Sequence, residues 1–344
     1  MKKLIIIFIL FTCVCINIFS TEAVYAKSNY LPNKTDTNIR ILAENLAFLK
    51  ILSSEKNSEQ KEFIQTKIDS SEKIIKSYQD KIIDSDLNNI KKHLNNDEII
   101  IIDYIQNNKN NLIENIDKLN LPKSISEFYK GFLAELTRLY ELKEKYPSEI
   151  AKIDENEILG FELGKHIVYL TFDDGPSNYT GKKVDLLNKY NISADFFVVG
   201  KNIELFKKDF MQLVKSNNEI GYHSYSHSNL IKLDKNKQYE EIVSSKNLIE
   251  EKYGIRINYF RAPYASRNSI STELINSEYK KHILWNIDSQ DWQNNFTEDI
   301  IYERVIRLVH LYDGGIVLFH DNNLKTQNVL EKIVVNLKDS GFNF

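Results

Sequence analysis

From Ile167 onward the sequence alternates short strand-like runs with helical stretches, and no other feature restricts the fold as much. The runs are Ile167–Phe172, Ala194–Val199, Glu219–Tyr222, Tyr259–Arg261, Ile283–Ile287 and Gly315–Phe319. Helical periodicity covers Lys182–Tyr190, Leu205–Lys215, Lys235–Tyr253, Thr297–Leu311 and Gln327–Lys338. A strand that returns only after a helix pairs in parallel with its predecessor, so the class is α/β with helices covering the sheet. Periodicity leaves open whether that sheet is flat or closed into a barrel. Either way, sites form at the carboxyl ends of the strands. Five of the six runs are followed at once by residues of catalytic type: Asp173 and Asp174, His223 and His227, Arg261, Asp288 and Asp291, and His320. Such one-sided placement implies a single site assembled from five loops.

The earlier half has different punctuation. Of 11 glycines, only Gly131 precedes Gly160. Residues 27–146 read as helices: Ile64, Ile68, Ser71, Ile75, Tyr78 and Ile82 step by four and three, as do Ile39, Leu42, Leu46 and Leu49. Ser124-Ile125-Ser126-Glu127 is a capping box that opens a helix with Phe128, Phe132 and Leu139 on its apolar face. This predicts an all-α domain, either a helical bundle or a coiled coil able to mediate self-association or partner binding. A charged connector, residues 147–165, follows Tyr146 and leads into a second domain, 166–344.

The first 26 residues read as an export leader: Lys2 and Lys3, an apolar Leu4–Phe19, and small residues around Ala26 for cleavage. A retained membrane anchor is the alternative. Both cysteines, Cys13 and Cys15, lie in this leader, so the mature chain would have no disulfide, no thiolate ligand and no cysteine nucleophile. A net charge of −3 gives no basic footprint for nucleic acid. A secreted, cell-envelope location is expected.

Two features carry chemistry. His223 and His227 stand four apart, so on a helical turn both imidazoles would reach one metal. Ser224 occupies the place where a zincin-type protease has glutamate, which excludes that class. Asp173-Asp174 sets two carboxylates side by side at the end of an apolar run, where they repel and resist desolvation. A cation relieves the repulsion: one carboxylate binds it while the other accepts a proton from activated water. A turn at Asp174-Gly175 would explain one aspartate but not both.

Thr171-Phe172-Asp173-Asp174-Gly175-Pro176-Ser177 resembles the first motif of the polysaccharide deacetylases, carbohydrate esterases of family four. The likeness continues in order through His223-Ser224-Tyr225-Ser226-His227, Arg261-Ala262-Pro263-Tyr264, Asp288-Ser289-Gln290-Asp291-Trp292 and Leu318-Phe319-His320. It covers about 165–344. The resemblance implies a distorted (β/α) barrel with fewer strands than usual, and a divalent metal, commonly zinc, held by Asp174, His223 and His227. Asp173 would be the general base, paired with Arg261, which would lower its proton affinity. His320 would be the general acid, oriented by an aspartate of the fourth motif, Asp288 in preference to Asp291. Trp292 and Leu318 would line a slot for the acetyl methyl, with Asp291 nearby, and the Tyr264 N–H would join the metal at the oxyanion. The family usually continues through a last short strand beyond Phe344, which implies a weaker closing edge. The implied substrate is an acetylated polysaccharide: peptidoglycan N-acetylglucosamine first, chitooligosaccharide or O-acetylxylan as alternatives. A non-catalytic glycan-binding module with a structural metal is the alternative from another class.

Overall fold

The computed structural model describes residues 35–54, 65, 68–69, 71–76, 88, 91, 96–142, 154–161 and 163–344. The leader expected over 1–26 and half of the Ile64–Ile82 seam (Ile64, Tyr78 and Ile82) lie outside these residues. The chain divides into two compact units that change over at Arg138 and Leu139.

In the first unit, helix Thr35–Ser54 packs on helix Asn96–Asn108. The periodic face Ile39, Leu42, Leu46 and Leu49 is buried, as its spacing requires, among Ile101, Ile105, Ile116 and Tyr129. Phe48 stacks on Tyr129 with ring centroids 4.3 Å apart. Arg40 is fully buried on the same helix and survives there because Glu44 (2.7 Å) and Glu98 (3.2 Å) neutralise it.

The second unit is built on eight parallel strands: β1 Glu157–Ile158, β2 Ile167–Gly175, β3 Asp195–Val198, β4 Glu219–Tyr222, β5 Tyr259–Phe260, β6 Lys281–Ile283, β7 Ile287–Asp288 and β8 Gly314–His320. Their order is β1-β6-β5-β4-β3-β2-β8-β7. β1 comes from the stretch expected to be only a connector. The single run expected over Ile283–Ile287 is two strands, β6 and β7, at nearly opposite ends of that order. On a flat sheet they would stand about 29 Å apart, at about 4.8 Å per strand. Only Leu284, Trp285 and Asn286 join them, a link that reaches about 14 Å when fully extended. The sheet is therefore curled until its ends nearly meet.

Local packing shows the same closure. Gly160, just past β1, lies so close to β8 that a Cβ there would stand 2.9 Å from the Ile316 nitrogen. Asn286, on the crossing link, accepts a hydrogen bond from Ile316 N–H at 2.8 Å. Inside the curl, Leu159, Phe197, Ile283, Leu284, Trp285, Ile316 and Leu318 form one buried cluster. On the outer face Phe172 packs against Phe196 (4.9 Å) and Phe319 (5.7 Å) beneath the covering helices. Among the described residues β1 and β7 are the two ends of the strand order and do not pair as neighbours, so the barrel is approached rather than closed. Asn343 makes one isolated parallel bridge to Ile167 beside β2. Helix Ser269–Glu278, with only a thin apolar stripe, was not apparent from periodicity; a capping box between Asn268 and Ser271 starts it.

Asp195 sits half-buried on β3, in register with Glu219 of β4. Burial pushes its carboxyl up to about 6, and Glu219 adds to the rise. A folded-state value above the unfolded one means that ionisation destabilises the fold as pH rises through this range. Asp195→Asn is expected to stabilise the protein by roughly 1–2 kcal/mol at pH 7.5 and by nothing measurable below pH 4, compared by urea melts at the two pH values.

Candidate active site

Because every strand runs the same way, all eight carboxyl ends face one mouth of the curled sheet. Asp173 and Asp174 end β2, His223 follows β4, Arg261 follows β5, Asp288 ends β7 and His320 ends β8. Neighbouring residues in a regular strand point to opposite faces. At the end of β2 the pairing with β3 skips a residue between Asp173 and Gly175, and Asp174 takes a left-handed φ of 68°. That bulge turns the second carboxylate back toward the same mouth, so the doublet works as a pair.

The two histidines converge by a different route from the helical turn expected. Residues 223–229 form an irregular loop in which Ser224 and His227 both have φ of 62°. The buried Ser224 hydroxyl accepts from His227 N–H at 3.0 Å, and the imidazole centroids end 5.0 Å apart. His223 Nδ1 lies 2.7 Å from the Arg261 carbonyl, which fixes the proton there and leaves Nε2 with its lone pair toward the mouth. Burial lowers His223 to about 3, so the ring is neutral. His223 Nε2 is 3.7 Å and His227 Nε2 3.2 Å from Asp174 Oδ1. This oxygen is buried and has no hydrogen-bond partner. Ligand atoms of these three residues all lie within 4.8 Å of one another. A carboxylate oxygen facing an imidazole lone pair without a donor is unfavourable, and a divalent cation resolves it. The donor set suits zinc and similar metals.

Asp173 lies beside this group, its Oδ2 3.6 Å from His223 Nε2. Its Oδ1 accepts from Arg261 Nη1 at 2.8 Å. Arg261 was expected to lower the proton affinity of Asp173. Burial is the larger effect and raises it, with Arg261 opposing. Arg261 is itself fully buried and donates also to Thr171 Oγ1 (2.8 Å), Ile283 O (2.9 Å) and Leu284 O (2.8 Å), with its plane over the Phe197 ring.

His320 has a different partner from the one expected. Its Nδ1 lies 2.7 Å from Asp291 Oδ1, and its own N–H donates to Asp291 Oδ2 at 2.8 Å. Thr326 and Asn323 complete the setting of Asp291, which is fully buried and so cannot meet a substrate. Burial opposes a charged His320, but the Asp291 hydrogen bond and charge outweigh it and raise the ring to about 9. Asp288 instead turns back on its own loop, accepting from Gln290 N–H at 2.7 Å and facing Trp292 Nε1 at 3.5 Å. The reason is register: Asp288 ends an edge strand, and the three-residue turn after it carries Asp291 inward beneath β8.

Tyr264 lies at the mouth, 63% exposed, with its ring 4.8 Å from that of His227. Tyr264 and Ala265 both adopt left-handed φ, 60° and 51°. Such backbone costs about 1–2 kcal/mol per residue and persists only where neighbours hold it. Trp292 is exposed on the loop after β7, whereas Leu318 lies within the interior cluster. Thr171 was missed. Its hydroxyl donates to Val317 O at 2.8 Å and accepts from Arg261, and a threonine inside an otherwise apolar run was the available signal.

Comparison with known proteins gives one family. The model described as Polysaccharide deacetylase matches residues 162–280. The peptidoglycan-N-acetylmuramic acid deacetylase PdaC of Bacillus subtilis is 29% identical over 229 residues, 66% of this chain and 47% of that protein. A peptidoglycan-N-acetylglucosamine deacetylase of Bacillus cereus is 29% identical over 182 residues, 52% of this chain and 65% of that one. The chain thus spans about half the length of the first of these relatives and somewhat less than two thirds of the second. Among solved structures, the Bc1960 peptidoglycan N-acetylglucosamine deacetylase superposes with a TM-score of 0.51 at 26% identity, over 60% of this chain and 92% of that one.

Asp291→Asn is expected to bring the His320 titration down from about 9 to near or below its ordinary value of 6.5, followed by NMR on metal-free protein. Asp288→Asn should leave that titration in place.

Proposed function

The chain belongs to the polysaccharide deacetylase family, and from that premise we propose that residues 166–344 hydrolyse N-acetyl groups of a cell-wall polysaccharide, peptidoglycan N-acetylglucosamine foremost. One observation carries this reading: the Asp174, His223 and His227 group lies at the same mouth as a buried carboxylate, Asp173, and a charged histidine, His320. A divalent cation held by those three residues, zinc by resemblance to the family, would supply Lewis acidity at the acetyl carbonyl and to the attacking water.

The remaining steps fall to the chain itself. Asp173, with Oδ1 held by Arg261, takes the proton from the attacking water on its other oxygen. Its raised proton affinity suits a base. The Tyr264 N–H donates to the oxyanion that forms on the acetyl oxygen. His320, protonated at neutral pH, delivers its proton to the departing amine nitrogen, and the Asp291 carboxylate stabilises the ring while it is charged. Two groups with proton affinities shifted for opposite tasks form a complete acid–base set for amide hydrolysis. A glycan-binding module with a structural metal would need neither Asp173 nor the His320–Asp291 pair.

Around this core we read residues 1–26 as an export leader and 27–146 as a helical bundle, with the connecting stretch after it ending before β1 at Glu157. This fits an enzyme of the cell envelope acting on an acetylated polymer. Acetate release from peptidoglycan and from N-acetylglucosamine oligomers is expected to require the metal and to stop on chelation. Asp173→Asn should lower turnover by at least about 100-fold while bound zinc, measured by elemental analysis, stays at the wild-type level. Activity requires protonated His320, so kcat/KM is expected to fall as pH rises through about 9. In Asp291→Asn this alkaline limb should move to lower pH.

A further inference from the structure

Glu157, Arg267 and His282 form a buried cluster behind the Tyr264 loop, and none of them belongs to the five motifs. Arg267 grips Glu157 with both edges of its guanidinium, Nε to Oε1 at 2.5 Å and Nη2 to Oε2 at 2.7 Å. Its remaining arm, Nη1, donates to the Ala265 carbonyl at 2.7 Å. His282 Nδ1 stands 3.3 Å from the same Glu157 oxygen, and its Nε2 accepts the Ala262 N–H at 3.1 Å. All three side chains are at most 2% exposed.

The two contacts therefore pin the two ends of the four-residue segment Ala262–Ala265. Between those pins lie the two left-handed residues, Tyr264 and Ala265. Neither residue is glycine, so the loop has no intrinsic reason to keep this conformation. What fixes the first peptide is His282, what fixes the last is Arg267, and both lean on Glu157. A carboxylate is needed there because a buried guanidinium without an opposite charge is strongly destabilising. Glu157 itself lies on β1, outside the matched segment 162–280.

We propose that Glu157, Arg267 and His282 are positioning residues for deacetylation, holding the Ala262–Ala265 loop so that the Tyr264 N–H is aimed at the oxyanion. This deepens the deacetylase reading and rests on it. Alignment of an oxyanion donor is felt in the transition state and little in substrate binding, so loosening the loop lowers kcat and leaves KM nearly unchanged.

The test uses the zinc-loaded full chain and an N-acetylglucosamine tetramer, with acetate release as the readout. Glu157→Gln keeps the shape and removes the charge; kcat should fall by about tenfold or more, with KM within about twofold and zinc content unchanged. Glu157→Asp should restore part of kcat. Ala265→Gly placed in the Glu157→Gln background should also restore several-fold, because glycine adopts a left-handed φ without strain. That rescue is not expected of a residue that only supports the fold. If Glu157→Gln does not fold, His282→Leu removes the Ala262 acceptor and the Nδ1 contact to Glu157 while keeping the bidentate Arg267–Glu157 pair, and should show the same fall in kcat alone. Wild-type kcat in these variants, or a loss that follows zinc content or folded fraction, overturns the proposal while the deacetylase reading stands. A wild-type chain that releases no acetate overturns both.

Discussion

The guanidinium of Arg261 is where fold and site meet. It lies buried inside the curled sheet and donates to the carbonyls of Ile283 and Leu284, where the chain starts its crossing from β6 to β7. The same group holds Asp173 Oδ1 and Thr171 Oγ1 on β2, and its own carbonyl fixes the tautomer of His223. Closure of the sheet and the aim of the base thus depend on one charged side chain, and the state of one metal-type ligand on the backbone of the same residue. Such a charge is tolerable inside a protein only when every donor is satisfied and an anion stands beside it. Asp173 is that anion, which keeps it in place even though burial makes it reluctant to ionise.

Around this anchor the parallel sheet supplies direction and local irregularity supplies aim. Asp174, Ser224, His227, Tyr264 and Ala265 all take left-handed backbone at or beside the mouth. Each deviation re-aims a polar group that regular geometry would have sent elsewhere. On the opposite side of the mouth, Asp291 raises the proton affinity of His320, while the lone pair of His223 and the partnerless oxygen of Asp174 leave room for a cation between them. Acid, base and cation site are kept distinct by their surroundings rather than by residue type alone.

Much of this was legible in the sequence, because alternation of apolar runs and helices leaves little choice but a parallel sheet, and strand ends then mark the mouth. The ordered motifs named the histidines, the aspartate doublet, Arg261 and His320. What the chain could not reveal was geometry set at long range. Asp288 and Asp291 are equivalent in a one-dimensional reading, and only the inward turn after β7 selects Asp291 as the partner of His320. The run Ile283–Ile287 read as one strand because its apolar character does not record the change of neighbours from β5 to β8. Glu157 gave no signal, since a charged residue in a charged stretch looks like solvated surface until Arg267 and His282 are placed against it.

The central claim is that Asp174, His223 and His227 hold one divalent ion while Asp173, next along the chain, stays free to carry a proton. Anomalous scattering at the zinc edge from crystals grown with zinc tests this directly. The account predicts a single peak bonded to one oxygen of Asp174 and the Nε2 atoms of both histidines, with Asp173 bound only to Arg261. A peak ligated by Asp173, or none at this mouth with zinc in excess, would contradict it.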